Sequence, residues 1–462
     1  MNVRGLTVGA GLAALLLPVL LPTPPGMSET EWRATGLTLT MAVWWLTEAL
    51  PLAATALLPL AVAPIFGLIN LDDVARSYSD PLVILFLGGF LIAKAIEKSL
   101  LHKRLADELL RRAGTSPHRV LGAFMLCTAF LSLWISNTAS AMVVAPVAAA
   151  VVSAQNEDKG VGTALMLGVA FSATIGGMGS LIGTPPNAIF AAYVSTAYEV
   201  TIGFAQWAAV GIPVAVILLL VTWIFLSWVS PGLGHGHLVL SDEMPRKNVS
   251  LAERRVAIVA GLTATAWMSR PITDWFFPGL AVSDAGIAMI AAVALFMISD
   301  GEGGRLLDWQ VAESLRWDVL ILFGGGLALA DIIQSSGLAE NIGGNFRMVS
   351  HWPELAVLLM IAALIVYLGE LASNTAMAAI FLPIAGAVAT GLGTDPVVFL
   401  LPIALSASIG FMLPVATPPN AIVFANPAVT RINMLRAGAP LDLIALVITV
   451  GMTSILAPLF LQ

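Results

Sequence analysis

Ser136-Asn137-Thr138 interrupts an apolar run that extends from residue 120 to residue 152, and the same tripeptide returns in a second apolar run as Ser373-Asn374-Thr375. An offset of 237 residues superposes the two tripeptides. After a four-residue deletion, an offset of 233 places Thr184-Pro185-Pro186-Asn187 on Thr417-Pro418-Pro419-Asn420. The chain therefore contains two copies of one unit.

The composition excludes a soluble globular protein. Of the 462 residues, 58% are apolar and only 11% are charged, whereas soluble domains carry about 25% charged residues. Apolar runs of about 20 residues, the length that crosses ~30 Å of hydrocarbon, recur along the whole chain. We therefore expect an all-α polytopic membrane protein. The single cysteine, Cys127, excludes an intramolecular disulfide and is predicted to be a small apolar filler.

Four membrane spans are predicted before the first tripeptide. Gly5–Leu21 lacks a small-x-small cleavage site and is predicted to be an uncleaved first span. Thr35–Leu68 is too long for one crossing and is divided at Leu50-Pro51 into the second and third spans. Pro81–Ile96 forms the fourth, and the basic segment 98–112 has leucines at the spacing of an interfacial amphipathic helix.

The first tripeptide lies between apolar stretches of about 15 residues, or ~22 Å at 1.5 Å per residue. This is too short for two spans and too long for one. A re-entrant hairpin with the polar tripeptide at its tip resolves the mismatch, because non-helical backbone is tolerated at membrane depth within protein or a water-filled cavity. Four crossings then separate the two copies, which makes the second copy inverted; a run that crossed the membrane would make the copies parallel. The crossings are predicted near Leu165–Tyr193, Phe204–Val229, Val256–Met268 and Ala285–Ile298.

The basic residues favour the hairpin topology. With a cytoplasmic N-terminus, only Arg33, Arg76, Arg270 and Arg347 of the 21 basic residues lie outside, as the positive-inside rule requires. The prediction is about eleven transmembrane helices plus two hairpins, with Gln462 outside. Inverted repeats with broken helices at the membrane midplane are typical of secondary transporters.

Broken helices supply the chemistry of a binding site. A break leaves unpaired N–H groups at the start of one half-helix and unpaired C=O groups at the end of the other. Serine, asparagine and threonine side chains can donate to a carboxylate or accept a cation. Each proline of the Thr-Pro-Pro-Asn turns is expected to free a carbonyl one turn earlier, and Gly183 and Ala416 are placed to offer backbone oxygens. Such oxygen-only ligation suits Na⁺ rather than zinc or copper.

These tips and turns, with the glycine-rich spans at Phe86-Leu87-Gly88-Gly89 and Phe323-Gly324-Gly325-Gly326, together resemble the divalent anion/sodium symporter family of INDY-like di- and tricarboxylate transporters. The resemblance covers nearly the whole chain. It implies an inner-membrane homodimer that works as an elevator, with sodium as the transported coupling ion and a di- or tricarboxylate as substrate. A nucleic-acid partner is not expected.

The resemblance also implies a division of the chain into scaffold and transport parts. Residues 1–119 would form scaffold helices with the interfacial helix, and residues 120–230 the first transport unit. Residues 231–350 would form scaffold helices and interfacial segments of the second repeat, and residues 351–462 the second transport unit.

Site residues are carried over from the resemblance position by position. The substrate would contact Asn137, Thr138, Ser373, Asn374, Thr375, Thr417 and Pro418. The first sodium ion would bind Ser132, Ser136, Asn137 and the Gly183 carbonyl, and the second would bind Asn374 and the carbonyls of Ala372 and Ala416.

The second cation site departs from the family pattern. The repeat partner of Ser132 is Gly369, where sodium-coupled members usually carry a threonine hydroxyl. The second site therefore lacks one ligand, which leaves its sodium stoichiometry open. Glu370, the next residue, is expected to accept hydrogen bonds from backbone N–H groups and hold the hairpin in shape.

The preferred function is sodium-coupled symport of C4-dicarboxylates such as succinate, fumarate and malate. A sodium-independent dicarboxylate exchanger, a citrate carrier and a sulfate carrier would share these tips. An intramembrane hydrolase would need a nucleophile with a buried base or paired aspartates, and the aspartates are expected in loops or at span ends, with Asp331 the deepest. A channel is disfavoured because the hairpins form an inverted pair instead of a symmetric pore.

Overall fold

The computed structural model describes residues 3–154, 159–230, 248–277, 279, 282–346 and 352–461. The described part of the chain is helical, with one isolated β-bridge between Ser299 and Arg305. In chain order the helices are α1 Val3–Leu20, α2 Glu29–Thr47, α3 Leu52–Thr55, α4 Leu58–Val62, α5 Leu71–Ser77, α6 Pro81–Lys98, α7 Leu101–Arg111, α8 Pro117–Ser132, α9 Asn137–Ala154, α10 Lys159–Met178, α11 Pro185–Tyr198, α12 Phe204–Val229, α13 Leu251–Phe276, α14 Asp284–Met297, α15 Trp309–Glu313, α16 Trp317–Ser335, α17 Leu338–Phe346, α18 Glu354–Gly369, α19 Asn374–Leu392, α20 Pro396–Ser406, α21 Pro418–Phe424 and α22 Arg431–Phe460.

Six helical stretches are long and apolar enough to cross a membrane by length and composition. They are Leu71–Lys98, Gly160–Met178, Phe204–Val229, Trp317–Ser335, Asn374–Leu392 and Arg431–Phe460. Several shorter apolar helices, α1, α14, α18 and α20 among them, accompany these six. The all-α architecture expected from the composition is confirmed.

The third predicted span is not one continuous helix. It consists of the short helices α3 and α4, of 4 and 5 residues. Pro51 is the N-cap of α3, and Pro59 lies in the first turn of α4. Proline cannot donate a helical hydrogen bond, so the chain restarts its helix at each of these positions.

Both tripeptide runs form the predicted helix–break–helix unit. Helix α8 ends at Ser132 and α9 begins at Asn137, while α18 ends at Gly369 and α19 begins at Asn374. The two helices of each unit pack against each other. Helices α8 and α9 contain 16 and 18 residues, which makes them about 24 and 27 Å long. Both lengths are below the ~30 Å thickness of the hydrocarbon core, and a tilt would shorten the distance that each helix covers.

The two Thr-Pro-Pro-Asn turns also interrupt helices. The first break covers residues 179–184, between α10 and α11, and the second covers residues 407–417, between α20 and α21. The prolines open α11 and α21 at their first two positions, where an N–H group would be unpaired in any case. The expectation that they free a carbonyl one turn earlier is therefore wrong, since that carbonyl lies in a segment that is already unwound.

The two copies interlock through their hairpins and broken helices. Helix α11 packs on α19 and α20, while α21 packs on α9 and α10. The rings of Phe171 on α10 and Phe411 in the second break lie 4.9 Å apart between centroids. The predicted first and second transport units thus share one core, whereas the division into moving and fixed domains stays a prediction.

Ion pairs gather several predicted cytoplasmic segments at one end of the molecule. Lys98 Nζ lies 2.6 Å from Asp308 Oδ2, and Arg104 Nε lies 3.0 Å from Glu253 Oε1. The Lys98 ammonium, through its hydrogen bond, holds the pKa of Asp308 below its ordinary value. The end of α6, helix α7, the start of α13 and the loop after α14 therefore lie together, as the inverted topology predicts.

Cysteine labelling tests this topology. In a Cys127→Ala background, which removes a fully buried thiol, Asp72→Cys should react with a membrane-impermeant maleimide in intact cells. Glu302→Cys should react only after the membrane is opened, because it lies at the opposite end of α6. Both positions are exposed in the structure. Labelling of both from the same side would contradict the topology.

Candidate functional site

The first hairpin tip is closed by a hydrogen bond across the break. The buried hydroxyl of Ser132 donates from Oγ to Asn137 Oδ1 over 2.6 Å. On the other side of the break, Ser136 Oγ accepts the N–H of Ala139 at 3.2 Å. The last residue of α8 and the first residue of α9 therefore orient their oxygens toward each other.

The first tip contacts the end of α10 closely. A Cβ atom on Gly177 would lie 2.4 Å from Asn137 Oδ1, and one on Gly183 would lie 2.4 Å from the Gly177 carbonyl oxygen. Side chains would not fit at either position. The structure thus brings Ser132, Asn137 and Gly183 together around Gly177, and their role as ligands of the first cation stays a prediction.

The second tip lacks the closing hydrogen bond. Asn374 Oδ1 is buried and has no hydrogen-bond partner among the described residues. A Cβ atom on Gly369 would lie 3.7 Å from this oxygen, and its other near neighbour would be Met377 Cγ at 4.0 Å. Space for a hydroxyl-bearing side chain is therefore present where the first copy has Ser132.

Glu370 ties the second tip to the second break. Its Oε1 accepts the N–H of Met412 at 2.9 Å, and its Oε2 accepts the N–H of Leu413 at 2.8 Å. The expected role of Glu370 as an acceptor of backbone N–H groups is confirmed. A Cβ atom on Gly410 would lie 3.7 Å from Glu370 Oε1 and 3.4 and 3.6 Å from side-chain carbons of Ala416 and Thr417. Ala416 and Thr417 therefore lie beside the second tip.

Two asparagines hold the two breaks in the same way. Asn187 donates from Nδ2 to the carbonyls of Gly177 and Ser180, at 3.0 and 2.8 Å. Asn420 donates from Nδ2 to the repeat-related carbonyls of Gly410 and Leu413, both at 3.0 Å. The Oδ1 atoms of both asparagines are buried and unpartnered among the residues that the structure describes. This role was not predicted from the sequence, although the offset of 233 that superposes the two Thr-Pro-Pro-Asn turns could have indicated that their asparagines act alike.

The remaining predicted residues line the starts of helices that follow a break. Thr138, Ser373 and Thr375 are partly exposed, and Pro418 is exposed. Thr417 is 4% exposed and its Oγ1 accepts the N–H of Asn420 at 3.3 Å. The predicted residues thus form two clusters, one in each copy, and the packing of α21 on α9 and α10 links them.

One aspartate contradicts the expectation from the sequence. Asp442 lies in the interior of α22, is 0% exposed, and accepts the N–H of Phe411 from Oδ1 at 3.0 Å. The expectation that every aspartate lies in a loop or at a span end, with Asp331 the deepest, is therefore wrong. Asp331 is only half-buried. The amide that makes Asp442 tolerable comes from a distant break, which local hydropathy does not show.

The candidate cation ligands in both clusters are carbonyl, amide and hydroxyl oxygens, and Glu370 adds a carboxyl group beside the second cluster. This set suits a hard monovalent or divalent cation of the main groups. The first turns of α9 and α19 also present N–H groups without intrahelical partners, which favour an anionic group. The arrangement can therefore bind cations and carboxylates side by side.

Comparison with known proteins identifies the family. Residues 5–461 match the family model described as the sodium:sulfate symporter transmembrane region. The chain is 37% identical to the sodium-dependent dicarboxylate transporter SdcS of Staphylococcus saprophyticus, over 98% of this chain and 92% of the relative. It is 33% identical to SdcS of Staphylococcus aureus strain USA300, over 99% of this chain and 91% of the relative.

Two solved structures share the fold. The Alcanivorax borkumensis YdaH transporter superposes with a TM-score of 0.61 at 14% identity, over 92% of this chain and 98% of that chain. Neisseria gonorrhoeae MtrF superposes with a TM-score of 0.62 at 13% identity, over 96% of this chain and 97% of that chain. The family model and the SdcS relatives confirm the resemblance drawn from the paired motifs: this chain belongs to the sodium:sulfate symporter family of membrane transporters.

Proposed function

We propose that this protein is a sodium-coupled symporter of C4-dicarboxylates such as succinate, fumarate and malate. The observation that carries the proposal is the pairing of each Ser-Asn-Thr tip with an unwound segment. At the first tip, Ser132 donates a hydrogen bond to Asn137, and Asn137 packs on Gly177. The SdcS relatives, which are named as sodium-dependent dicarboxylate transporters, support both the ion and the substrate class.

The mechanism follows from charge. A dicarboxylate brings two negative charges, whereas the serine, asparagine and threonine side chains of the tips are uncharged and cannot balance them. Bound cations supply the missing positive charge, so the dianion binds well only to the sodium-loaded protein. This linkage couples the transport of the dicarboxylate to the transport of sodium, and the proposed site residues include no lysine or arginine.

The proposed ligands are those carried over from the family. Substrate contacts are assigned to Asn137, Thr138, Ser373, Asn374, Thr375, Thr417 and Pro418. The first sodium ion is assigned to Ser132, Ser136, Asn137 and the Gly183 carbonyl, and the second to the Gly369 region with Ala372, Asn374 and Ala416.

A sodium-independent dicarboxylate exchanger is the second candidate. It is favoured by one observation: Asn374 Oδ1, which has no partner among the residues that the structure describes, lies beside a glycine that offers no hydroxyl. A protein that binds fewer cations would return one dicarboxylate for each that it imports.

The remaining features of the proposal concern the assembly and its movement. We propose an inner-membrane homodimer with a cytoplasmic N-terminus, in which residues 120–230 and 351–462 move as one transport domain against the rest. The packing of α11 on α19 and of α21 on α9 supports this grouping. The family and its relatives are transporters, and the proposed mechanism contains no catalytic step.

Removal of either tip asparagine tests the site. Asn137→Ala and Asn374→Ala should each lower sodium-driven succinate uptake at least about tenfold, because each loses hydrogen bonds to a charged ligand. Size-exclusion chromatography should show an unchanged assembly. Asn341→Ala, which alters a partner of the Gly26 carbonyl far from the tips, is the control. Wild-type uptake in both tip variants would overturn the assignment.

Substitutions at the repeat-related positions Ser132 and Gly369 test the cation sites. Gly369→Thr should lower the sodium concentration for half-maximal uptake about fivefold, since a hydroxyl can reach Asn374 Oδ1 and complete the second site. Ser132→Gly, which gives the first copy the glycine of the second, should raise that concentration by a similar factor. An unchanged sodium dependence in both variants would count against these sites.

A further inference from the structure

The two breaks differ in length although they are related by the repeat. Helix α10 continues to Met178, whose partner at the offset of 233 is Phe411. Helix α20 stops at Ser406, five residues before that partner. The second copy therefore contains a longer unwound segment, and its backbone N–H groups need partners other than helix carbonyls.

Two buried carboxyl groups supply these partners. Phe411 donates to Asp442, and the next two amides, Met412 and Leu413, donate to Glu370. Asp442 is 0% exposed and Glu370 is 1% exposed. Helix α22 and the tip of the second hairpin thus grip three consecutive amides of the break. We refer to Glu370 and Asp442 as the carboxyl clamp.

The first copy has an apolar pair at the same place. The offset of 237 places Glu370 on Leu133, and the match of Gly211-Ile212-Pro213 with Gly438-Ala439-Pro440 places Asp442 on Ala215. A Cβ atom on Gly179, the partner of Met412, would lie 2.9 Å from Leu133 Cδ2 and 3.5 Å from Ala215 Cβ. The three-way contact is therefore retained in both copies, while only the second copy makes it with carboxyl groups.

Glu370 and Asp442 are buried and lie close enough to interact; since like charges disfavour each other, the clamp places one shared negative charge beside the second cluster. None of the ion pairs that the structure describes involves Glu370 or Asp442, and the ionisable group that acts on Asp442 is Glu370 itself. Glu370 Oε1 lies next to Gly410, which also neighbours Ala416 and Thr417. Charge acts over several ångströms in a site of low dielectric constant, so it reaches a cation held at this break.

We propose that Glu370 and Asp442 are positioning residues for the second sodium ion. They hold the break open so that its carbonyls can face the ion, and the negative charge that they share offsets the hydroxyl missing at Gly369. The first copy, which has Ser132, needs no such clamp and carries Leu133 and Ala215 instead. This inference rests on the proposed sodium symport.

Sodium titration of succinate uptake by the full-length protein in proteoliposomes tests the clamp. Glu370→Gln should raise the sodium concentration for half-maximal uptake about tenfold, because it removes charge and an acceptor for Leu413. Asp442→Asn retains an acceptor for Phe411 and alters only the charge shared with Glu370, so it should raise that concentration by a smaller factor. Asp331→Asn, which changes a half-buried acid outside the clamp, should leave it unchanged.

A second measurement covers variants that no longer transport. Sodium should raise the thermal unfolding temperature of the purified wild-type protein, since an ion that binds only the folded state stabilises it. The combined variant Glu370→Leu with Asp442→Ala, which has the residues of the first copy, should lose part of this sodium-dependent rise.

The outcomes separate the clamp from the proposed function. Lower maximal uptake with wild-type sodium dependence in both clamp variants would show a merely structural role and overturn the inference. A full sodium-dependent rise in the unfolding temperature of the combined variant would overturn it as well. Wild-type uptake that ignores sodium would instead contradict the proposed function, and the inference with it.

Discussion

The whole site depends on one constraint: a backbone that leaves the helix inside a membrane must find partners for its N–H and C=O groups within the protein. Asn187 meets it for the carbonyls of Gly177, at the end of α10, and of Ser180 in the first break. Asn420 meets it for two carbonyls of the second break, and Glu370 and Asp442 for three of its amides. Because these side chains hold the unwound segments, other oxygens nearby stay free to bind an ion.

The repeat supplies the same frame twice, with different chemistry in each copy. In the first, Ser132 fixes the oxygen of Asn137; in the second, which has Gly369, the oxygen of Asn374 has no partner within the described part of the chain. A fully symmetric protein would offer two equal cation sites. The proposed sodium coupling therefore depends on how the second copy replaces what it lacks, and the buried carboxyl groups are the groups placed to do so.

Much of the fold could be predicted from the sequence because membrane helices are specified locally, by apolar length and by the residues that interrupt them. The hairpin breaks at Asn137 and Asn374 and the turns at Thr184 and Thr417 are of this kind. The apolar length of the third span predicts one helix, whereas its prolines divide it into the two short helices α3 and α4. The burial of Asp442 could not be predicted because its partner, the amide of Phe411, is 31 residues away in sequence, and hydropathy reports no contact across that distance.

If the paired tips couple the transport of the dicarboxylate to that of sodium, an inward sodium gradient drives dicarboxylate uptake. The most direct measurement is uptake of labelled succinate into proteoliposomes without internal substrate, under an inward sodium gradient or an equal potassium gradient. We expect accumulation with sodium and none with potassium. Uptake that ignores sodium and requires internal dicarboxylate would contradict sodium-coupled symport and identify an exchanger.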